Sequence, residues 1–518
     1  MALSIHLDRK ADTPLYQQIA DAVRQQIRLG RLVAGVKLPA TRTIAKDLGV
    51  HRKTVVQAFD LLGDEGWLVA GVGQGTFVRS DRPGLPSELR RGTELEREDG
   101  DDGHVQSLAV GTGFSWDALL RARPEPSPVW RFLSRNRPDP EWIRFTGATA
   151  DPSHFPAEDF RECVNEVFRE QGANALDYGT PEGIAPLREF VAERLVPNGV
   201  VVDPDQIMIV NGSQQGLDLV ARLLISPGDE VLVEEPGYSN GFRLFQALGA
   251  RTIGVPLDPG GIRLDALART LRETQPRLLY LMPNYQNPTG LSLDADRIEP
   301  LLELCRRHRV PVIEDQFDGD LVYRGAPRRP IKASDREDQV VLLGSFSKIL
   351  FPGLRLGWLV LPRPLSPAMR ELRQVADFSS GLFVQHAMLR FCRQGRLERH
   401  VEQVRRIYGA RLEAMLAAMA REFPPGVSWT EPEGGLTVWV TLPDGADSLE
   451  LLQQARGEGV DFSPGFLFFP NGGGGQHFRL SYVRETEERI ERGIGILGEL
   501  LRAHCARMPE LSSSRPFF

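Results

Sequence analysis

The sequence predicts two architectures in one chain: a winged helix-turn-helix at the N-terminus, mainly α with a β wing, then an α/β domain with a small α+β C-terminal subdomain. Two observations predict the first. Three helical patterns separated by tight Gly and Pro turns precede residue 66, and two short apolar runs around Gly71, Gly73 and Gly75 follow them. One observation predicts the second: from about Phe145 onward, apolar β runs alternate with helical patterns, the order of a mostly parallel sheet covered on both faces.

Composition bounds the reading. The 518 residues, 41% hydrophobic and 25% charged, have the profile of a soluble globular protein with ample core. No apolar run approaches the ~20 residues of a membrane span, and the N-terminus lacks a signal peptide's apolar core, so a cytoplasmic location with no membrane partner is expected. Cys163, Cys305, Cys392 and Cys505 are far apart and form no C-x-x-C pair, so neither a disulfide framework nor a metal site is expected. The net charge of −7 argues against a protein that coats nucleic acid.

In the first module, Leu15, Ile19, Ala22, Val23 and Ile27 recur at helical spacing behind Thr13-Pro14, an N-cap and a first-turn proline. Thr41 is placed to cap a second helix that runs to Leu48 and stops at Gly49. A third begins near His51, with Val55, Val56, Phe59 and Leu62 on one face. Arg52, Lys53, Thr54 and Gln57 point elsewhere and suit base edges and phosphates. Gly66–Val69 and Thr76–Val78 read as the wing. From Met1 to Ser80 basic residues outnumber acidic ones, as phosphate binding requires. The alternative is a helical packing module with a solvated face.

Pro14-Leu15-Tyr16, Lys37-Leu38-Pro39-Ala40-Thr41-Arg42, Leu48 to Val55 and Gly73-Gln74-Gly75-Thr76-Phe77-Val78 resemble the winged-helix domain of the GntR family. The resemblance implies that Arg42, Arg52 and Thr54 contact double-stranded operator DNA, with the wing near Gly75 reaching a groove.

After Ser80 the composition shifts to Pro, Gly, Arg and acid with no hydrophobic period, which reads as a flexible linker. Stretched, ~25 residues span roughly 80 Å, while a coil of that length averages about 30 Å. The expected division is 1–80 DNA module, 81–135 linker, 136–507 body and 508–518 tail, the body split into a large subdomain (about 145–365) and a small one (about 366–507).

In the body, Ile207–Val210, Glu230–Glu234, Arg277–Met282, Val310–Asp315, Val340–Gly344 and Arg355–Leu361 read as strands. Ligands gather at the carboxyl ends of such strands. Between the last two, Ser345-Phe346-Ser347-Lys348 precedes a Pro-Gly turn and Arg355. Desolvation and a neighbouring cation both disfavour the ammonium form of such a lysine, and a neutral amine attacks an aldehyde. Ser345, Ser347 and Arg355 offer donors to an oxyanion, the arginine as a fixed fork. Aldehyde plus phosphate suggests pyridoxal 5'-phosphate. A solvated lysine at a strand end is the alternative.

Asn211-Gly212-Ser213-Gln214 closes a strand and opens a helix, an anion site by geometry. Tyr238 follows the next strand, where it either stacks on a planar ring or packs on a loop. Asn287 before Pro288 is held extended, its amide aimed. Asp315 ends an apolar strand, and a buried carboxylate there needs a cation such as a pyridinium. Arg479 stands alone among apolar residues and wants a carboxylate, from a ligand or from a structural ion pair. The Gly472–Gly475 run lacks the Lys-Ser/Thr of a phosphate loop and reads as a turn.

Together these segments resemble the aspartate-aminotransferase-like fold type I of pyridoxal-phosphate enzymes. The resemblance implies that Lys348 carries the internal aldimine, Asp315 pairs with the pyridine nitrogen, Asn287 bonds the phenolate oxygen and Tyr238 stacks on the ring. It also implies that Gly212, Ser213, Gln214, Ser345, Ser347 and Arg355 hold the phosphate, that Arg479 holds an α-carboxylate, and that Tyr178 reaches the phosphate across a homodimer interface. One position departs from the pattern. Phe317 stands where the family commonly has a tyrosine bonded to the phenolate oxygen, a loss of about 1 kcal/mol or somewhat more.

The combination resembles the MocR subfamily of transcription regulators. It implies a regulator that senses an amino acid or amine through an external aldimine, with the DNA module exchanged head-to-tail between subunits. The alternative is a working aminotransferase, amino acid to 2-oxo acid, whose DNA module regulates its own gene.

Overall fold

The structure is a computed structural model that describes residues 14–28, 38–64, 67–71, 75–78, 141–317 and 319–506. The chain divides into two compact units, Met1–Trp116 and Asp117–Phe518. The expected boundaries near 80, 135 and 507, the connector and the tail lie outside the described residues.

In the first unit, helices α1 (Leu15–Arg28), α2 (Thr41–Asp47) and α3 (Arg52–Asp64) precede strands β1 (Leu68–Gly71) and β2 (Gly75–Val78), an antiparallel hairpin with Leu68 opposite Val78. Ile19, Val23, Ile44, Val55, Phe59, Leu62 and Trp67 are buried between them. Two expectations are corrected. Thr41 does not cap α2: the N-cap is Ala40, with no side-chain cap bond, and the Thr41 hydroxyl instead accepts from Arg52 Nε at 3.4 Å. Val56 is only half-buried and Ala58 fills the core in its place, because position 56 lies one helical step, about 100°, off the stripe through 55, 59 and 62.

In the second unit the strands are β3 (Ile143–Arg144), β4 (Ile207–Val210), β5 (Glu230–Glu235), β6 (Arg251–Asp258), β7 (Gly261–Ile262), β8 (Leu278–Leu281), β9 (Val312–Gln316), β10 (Val340–Ser345) and β11 (Gly357–Val360). Eight of them form one sheet in the order β4-β11-β10-β9-β8-β5-β6-β7. Its centre is parallel, while β11 runs antiparallel to both neighbours. Strands β4, β8 and β10 are buried along their whole length, as a sheet covered on both faces requires.

Strand β6 was not expected from the sequence. Gly254 and Pro256 interrupt its apolar alternation, and Gly254 is needed because a Cβ there would strike the Glu235 side chain. The strand expected from Arg355 starts two residues later. Arg355 itself ends the turn Pro352–Leu354 in the left-handed region, at φ +49°, which ladder geometry excludes.

Four further strands, β12 (Ser428–Trp429), β13 (Thr437–Thr441), β15 (Ser463–Pro464) and β16 (His477–Ser481), make a second sheet in the order β12-β13-β16-β15, and β14 (Val460–Asp461) pairs with β3. Helices Arg396–Glu422 and Glu487–Ala506 accompany this subdomain, whereas Leu382–Arg393 packs on the helix Ala157–Gln171. No helix among the described residues is long and apolar enough to cross a membrane.

The loop after β8 is bolted to this second sheet. Thr437 Oγ1 donates to the Pro288 carbonyl at 3.1 Å and Thr430 Oγ1 to that of Thr289 at 2.7 Å. Gly290 follows at φ +71°, and a Cβ there would fall 2.5 Å from the Thr437 carbonyl oxygen. Gly290→Ala therefore carries both left-handed strain and a backbone clash. It should destabilise the full-length chain by about 2–4 kcal/mol in urea unfolding, whereas Gly495→Ala, in a helix with open space around it, should be neutral or mildly stabilising.

Candidate functional site

On the first unit, Arg42 and Arg52 are exposed and Thr54 is half-buried, its N–H bonded to the His51 carbonyl at 2.9 Å. A groove of about 420 Å³ opens at the first turns of α3 between His51, Arg52, Lys53, Val56 and Gln57. Gly75 opens β2 opposite Gly71. A cationic, polar helix start beside a groove suits phosphate and base-edge contacts.

On the second unit, Gly212, Tyr238, Asn287, Asp315, Ser345 and Lys348 lie at or just beyond the carboxyl ends of β4, β5, β8, β9 and β10. Asp315, near the end of β9, is 3% exposed. Its Oδ2 accepts from the Tyr280 hydroxyl at 2.9 Å, and its Oδ1 is buried with no hydrogen-bond partner. Burial pushes its carboxyl up to about 6, opposed by the Tyr280 hydroxyl and the positive charge of Lys348. Lys348 Nζ donates to the Ala148 carbonyl at 2.7 Å and stands 5.8 Å from the centre of the Phe317 ring. Tyr238 lies nearly parallel to Phe317, at 14° and 6.5 Å between centres, at the far end of the range for stacked aromatic pairs. Its hydroxyl reaches Gln214 Oε1 at 3.4 Å.

Arg479, on β16, is 7% exposed. Its guanidinium donates to Asn287 Oδ1 at 2.9 Å and to Ser463 Oγ at 3.2 Å and lies 4.8 Å from the centre of the Phe468 ring. Nε is buried without a partner, and among the described residues no carboxylate is within ion-pair distance. Burial lowers its pKa to about 10. Because Asn287 Oδ1 faces this donor, its amide nitrogen is turned the other way.

Gly212 sits at φ +86° as the N-cap of helix Ser213–Leu224, whose first turn presents N–H groups without intrahelical acceptors. A Cβ on Gly212 would fall 2.9 Å from the Arg355 guanidinium, which also donates to the Asn211 carbonyl at 3.3 Å. Ser345 Oγ accepts the Ser347 N–H at 3.0 Å, and Ser347 Oγ is buried without a partner. These groups form a cradle of donors. Tyr178 is not part of it within one chain: it is 84% exposed, its ring 6.0 Å from that of Phe378.

Several functional neighbours escape sequence reasoning. Tyr280 reads as one aromatic in an apolar run, and nothing in the pattern marks its hydroxyl as the partner of Asp315. The buried Arg373 pairs with Asp377 at 2.7 Å, and Asp377 Oδ2 accepts from Asn211 Nδ2 at 2.9 Å and from Gln215. This network supports the cradle from behind. Among the described residues no group of His, Cys, Asp or Glu could hold a metal ion.

Glu234, on β5, is also buried; it accepts from the Met282 N–H at 3.0 Å and from Gln286 Nε2 at 3.3 Å, and burial pushes its carboxyl from 4.5 to about 8. The folded chain thus holds this proton more tightly than the unfolded chain. The contribution to stability is intact below about pH 4.5 and is lost as pH rises towards 8. In urea unfolding of the ligand-free chain at stepped pH, Glu234→Gln should lose less stability over that window than wild type, by on the order of a few kcal/mol.

Residues 146–497 match the family model "Aminotransferase class I and II", and residues 15–78 match "Bacterial regulatory proteins, gntR family". The uncharacterized HTH-type transcriptional regulator YisV of Bacillus subtilis is 31% identical over 498 residues, 95% of this chain and 97% of its own length. The probable rhizopine catabolism regulatory protein MocR of Rhizobium meliloti is 28% identical over 95% of this chain and 94% of its own. Among solved structures, LysN, the α-aminoadipate aminotransferase of Thermus thermophilus complexed with N-(5'-phosphopyridoxyl)-L-leucine, is 35% identical. It superposes with a TM-score of 0.70 over 76% of this chain and 100% of that one. The chain therefore belongs to the MocR-type regulators, in which a gntR-family DNA-binding domain is joined to a pyridoxal-phosphate domain of the aminotransferase class I and II family.

Proposed function

We propose that this regulator reads an amino acid or amine at the Lys348 site and answers by changing its grip on operator DNA. The observation that carries the reading is Arg479, a buried guanidinium bonded only to neutral groups, in the same site as a lysine amine. A buried cation without a counter-charge is costly unless a ligand supplies one, and an α-carboxylate does.

The residues fit the cofactor. Asp315 Oδ1 is a buried acceptor lacking a donor, which a protonated pyridine nitrogen satisfies. Gly212 leaves open the space before Arg355, where phosphate oxygens would meet the guanidinium, the first N–H groups of Ser213 and Gln214, and the hydroxyls of Ser345 and Ser347. The Asn287 amide nitrogen would donate to the phenolate oxygen, and Tyr238 would cover the ring. Pyridoxal phosphate, when bound, supplies an aldehyde that condenses with amines and a ring that withdraws electrons. Lys348 Nζ would be the amine that holds it, and Arg479 would orient a ligand by its carboxylate. Arg42, Arg52 and Thr54 would contact the operator, with the wing at Gly75 beside a groove.

A homodimer is part of the proposal. Leu176, Tyr178, Val375 and Phe378 are 65%, 84%, 81% and 61% exposed, an apolar set that a second copy would cover, carrying Tyr178 toward the other subunit's cradle. The chain between residues 78 and 141 is long enough for the DNA modules to exchange between subunits, with 81–135 as the connector. We place the protein in the cytoplasm, where its operator is. Sedimentation should find a dimer that Tyr178→Asp together with Phe378→Asp converts to monomer.

The second reading, a working aminotransferase, is favoured by the completeness of the site and opposed by Phe317. The test follows visible absorption and operator binding while amino acids and amines are titrated into the loaded full-length chain. One of them should change operator affinity in wild type and leave Lys348→Ala unaffected. An equal response in Lys348→Ala sinks the sensor, and multiple turnover with a 2-oxo acid that ignores DNA supports the enzyme.

A further inference from the structure

The Asp315 carboxylate is buried but half-satisfied: Oδ2 takes the Tyr280 hydroxyl at 2.9 Å and Oδ1 takes nothing. That asymmetry needs a cause, because a carboxylate on a short side chain can turn until both oxygens share what donors there are. Tyr280 supplies it. Its ring is 2% exposed and meets Phe245 edge-on, 5.7 Å between centres and 70° between planes. On another side it lies against Gly241, where a Cβ would fall 2.8 Å from Tyr280 Cε1. Gly241 belongs to the helix Ser239–Ala247, which begins directly after Tyr238. The phenol therefore cannot follow a rotating carboxylate, and the carboxylate is held where the phenol is.

We infer that Tyr280 is a positioning residue: its fixed hydroxyl orients Asp315 so that Oδ1 alone is presented to the cofactor's ring nitrogen, and Gly241 is what lets the phenol stand there. This rests on the proposed pairing of Asp315 with that nitrogen. A donor to Oδ2 also favours the ionised carboxylate, the form that stabilises a protonated ring. A ring proton in turn disfavours a second proton on the nitrogen that links the cofactor to Lys348. Loss of the phenol hydroxyl should therefore weaken cofactor binding and move the pH midpoint of the visible band upward.

The experiment titrates the ligand-free full-length chain with pyridoxal phosphate and, separately, with pyridoxamine phosphate, which has no aldehyde and so reports the ring contacts without the lysine link. Tyr280→Phe removes one oxygen and keeps the shape. It should weaken both ligands roughly tenfold and raise the midpoint of the visible band in the pyridoxal phosphate complex. Both effects should vanish when Asp315→Asn is already present, because the phenol acts through that carboxylate. Gly241→Ala retains the hydroxyl but displaces the ring, and should move the midpoint the same way by a smaller amount.

Wild-type affinities and midpoint in Tyr280→Phe overturn the inference, as does a loss that persists undiminished in the Asp315→Asn background, which would mark Tyr280 as packing only. A wild-type chain that takes up no pyridoxal phosphate overturns the site assignment itself and this inference with it.

Discussion

Two ionic groups, Asp315 on the main sheet and Arg479 on the second, are buried, and each lacks part of the counter-charge that burial demands. Removing a carboxylate or a guanidinium from water costs several kcal/mol even after relaxation, so a folded chain does not keep such groups unless their surroundings leave them nowhere else to go. That constraint explains much of the local architecture. Asp315 is trapped between fully buried strands, with the Tyr280 phenol as its side-chain donor and the Phe317 backbone N–H beside it. Arg479 is trapped between β13 and β15, with an amide, a hydroxyl and the Phe468 ring against it and, among the described residues, no carboxylate within ion-pair distance. The atoms left unpaired, Asp315 Oδ1 and Arg479 Nε, are the ones whose missing partners the proposed cofactor and carboxylate ligand would supply.

The two groups come from different sheets, while the order of the main sheet assembles the cradle of donors. The antiparallel β11, set between β4 and β10, brings the Gly212 turn and the Arg355 turn to the same edge, since β4 ends where β11 begins. A parallel strand in that place would have put Arg355 at the opposite edge, and the cradle would have lost its guanidinium. Behind the cradle, Arg373 and Asp377 compensate each other's burial and spend their remaining bonds on Ser380, Asn211 and Gln215.

Legibility in the sequence follows from how local each determinant is. The strand that carries Asp315 and the one that precedes Lys348 are short continuous apolar runs ended by polar residues, a pattern that survives any tertiary arrangement, and their expected bounds lie within two residues of those observed. The α3 stripe was legible for the same reason, apart from Val56. Strand β6 was hidden by Gly254 and Pro256, whose presence makes sense only beside Glu235 on the neighbouring strand. Thr41 has the chemistry of a cap, but its hydroxyl is engaged by a residue eleven positions on. Tyr280 was invisible because a phenol in an apolar strand looks like core until the carboxylate 35 residues later is seen to meet it. Pairings across strands, unlike periods along them, are not written in any one segment.

The threonine bolts between the Asn287 loop and the second sheet carry one more implication. Through Thr437 and Thr430, and through Arg479 itself, the loop is fastened to the small subdomain, although in sequence it belongs to the large one. A displacement of Arg479 would thus be felt by the Asn287 loop as well as by the second sheet. Any closing movement would run as a slide of one layer over another, not as a jaw swinging on a free joint.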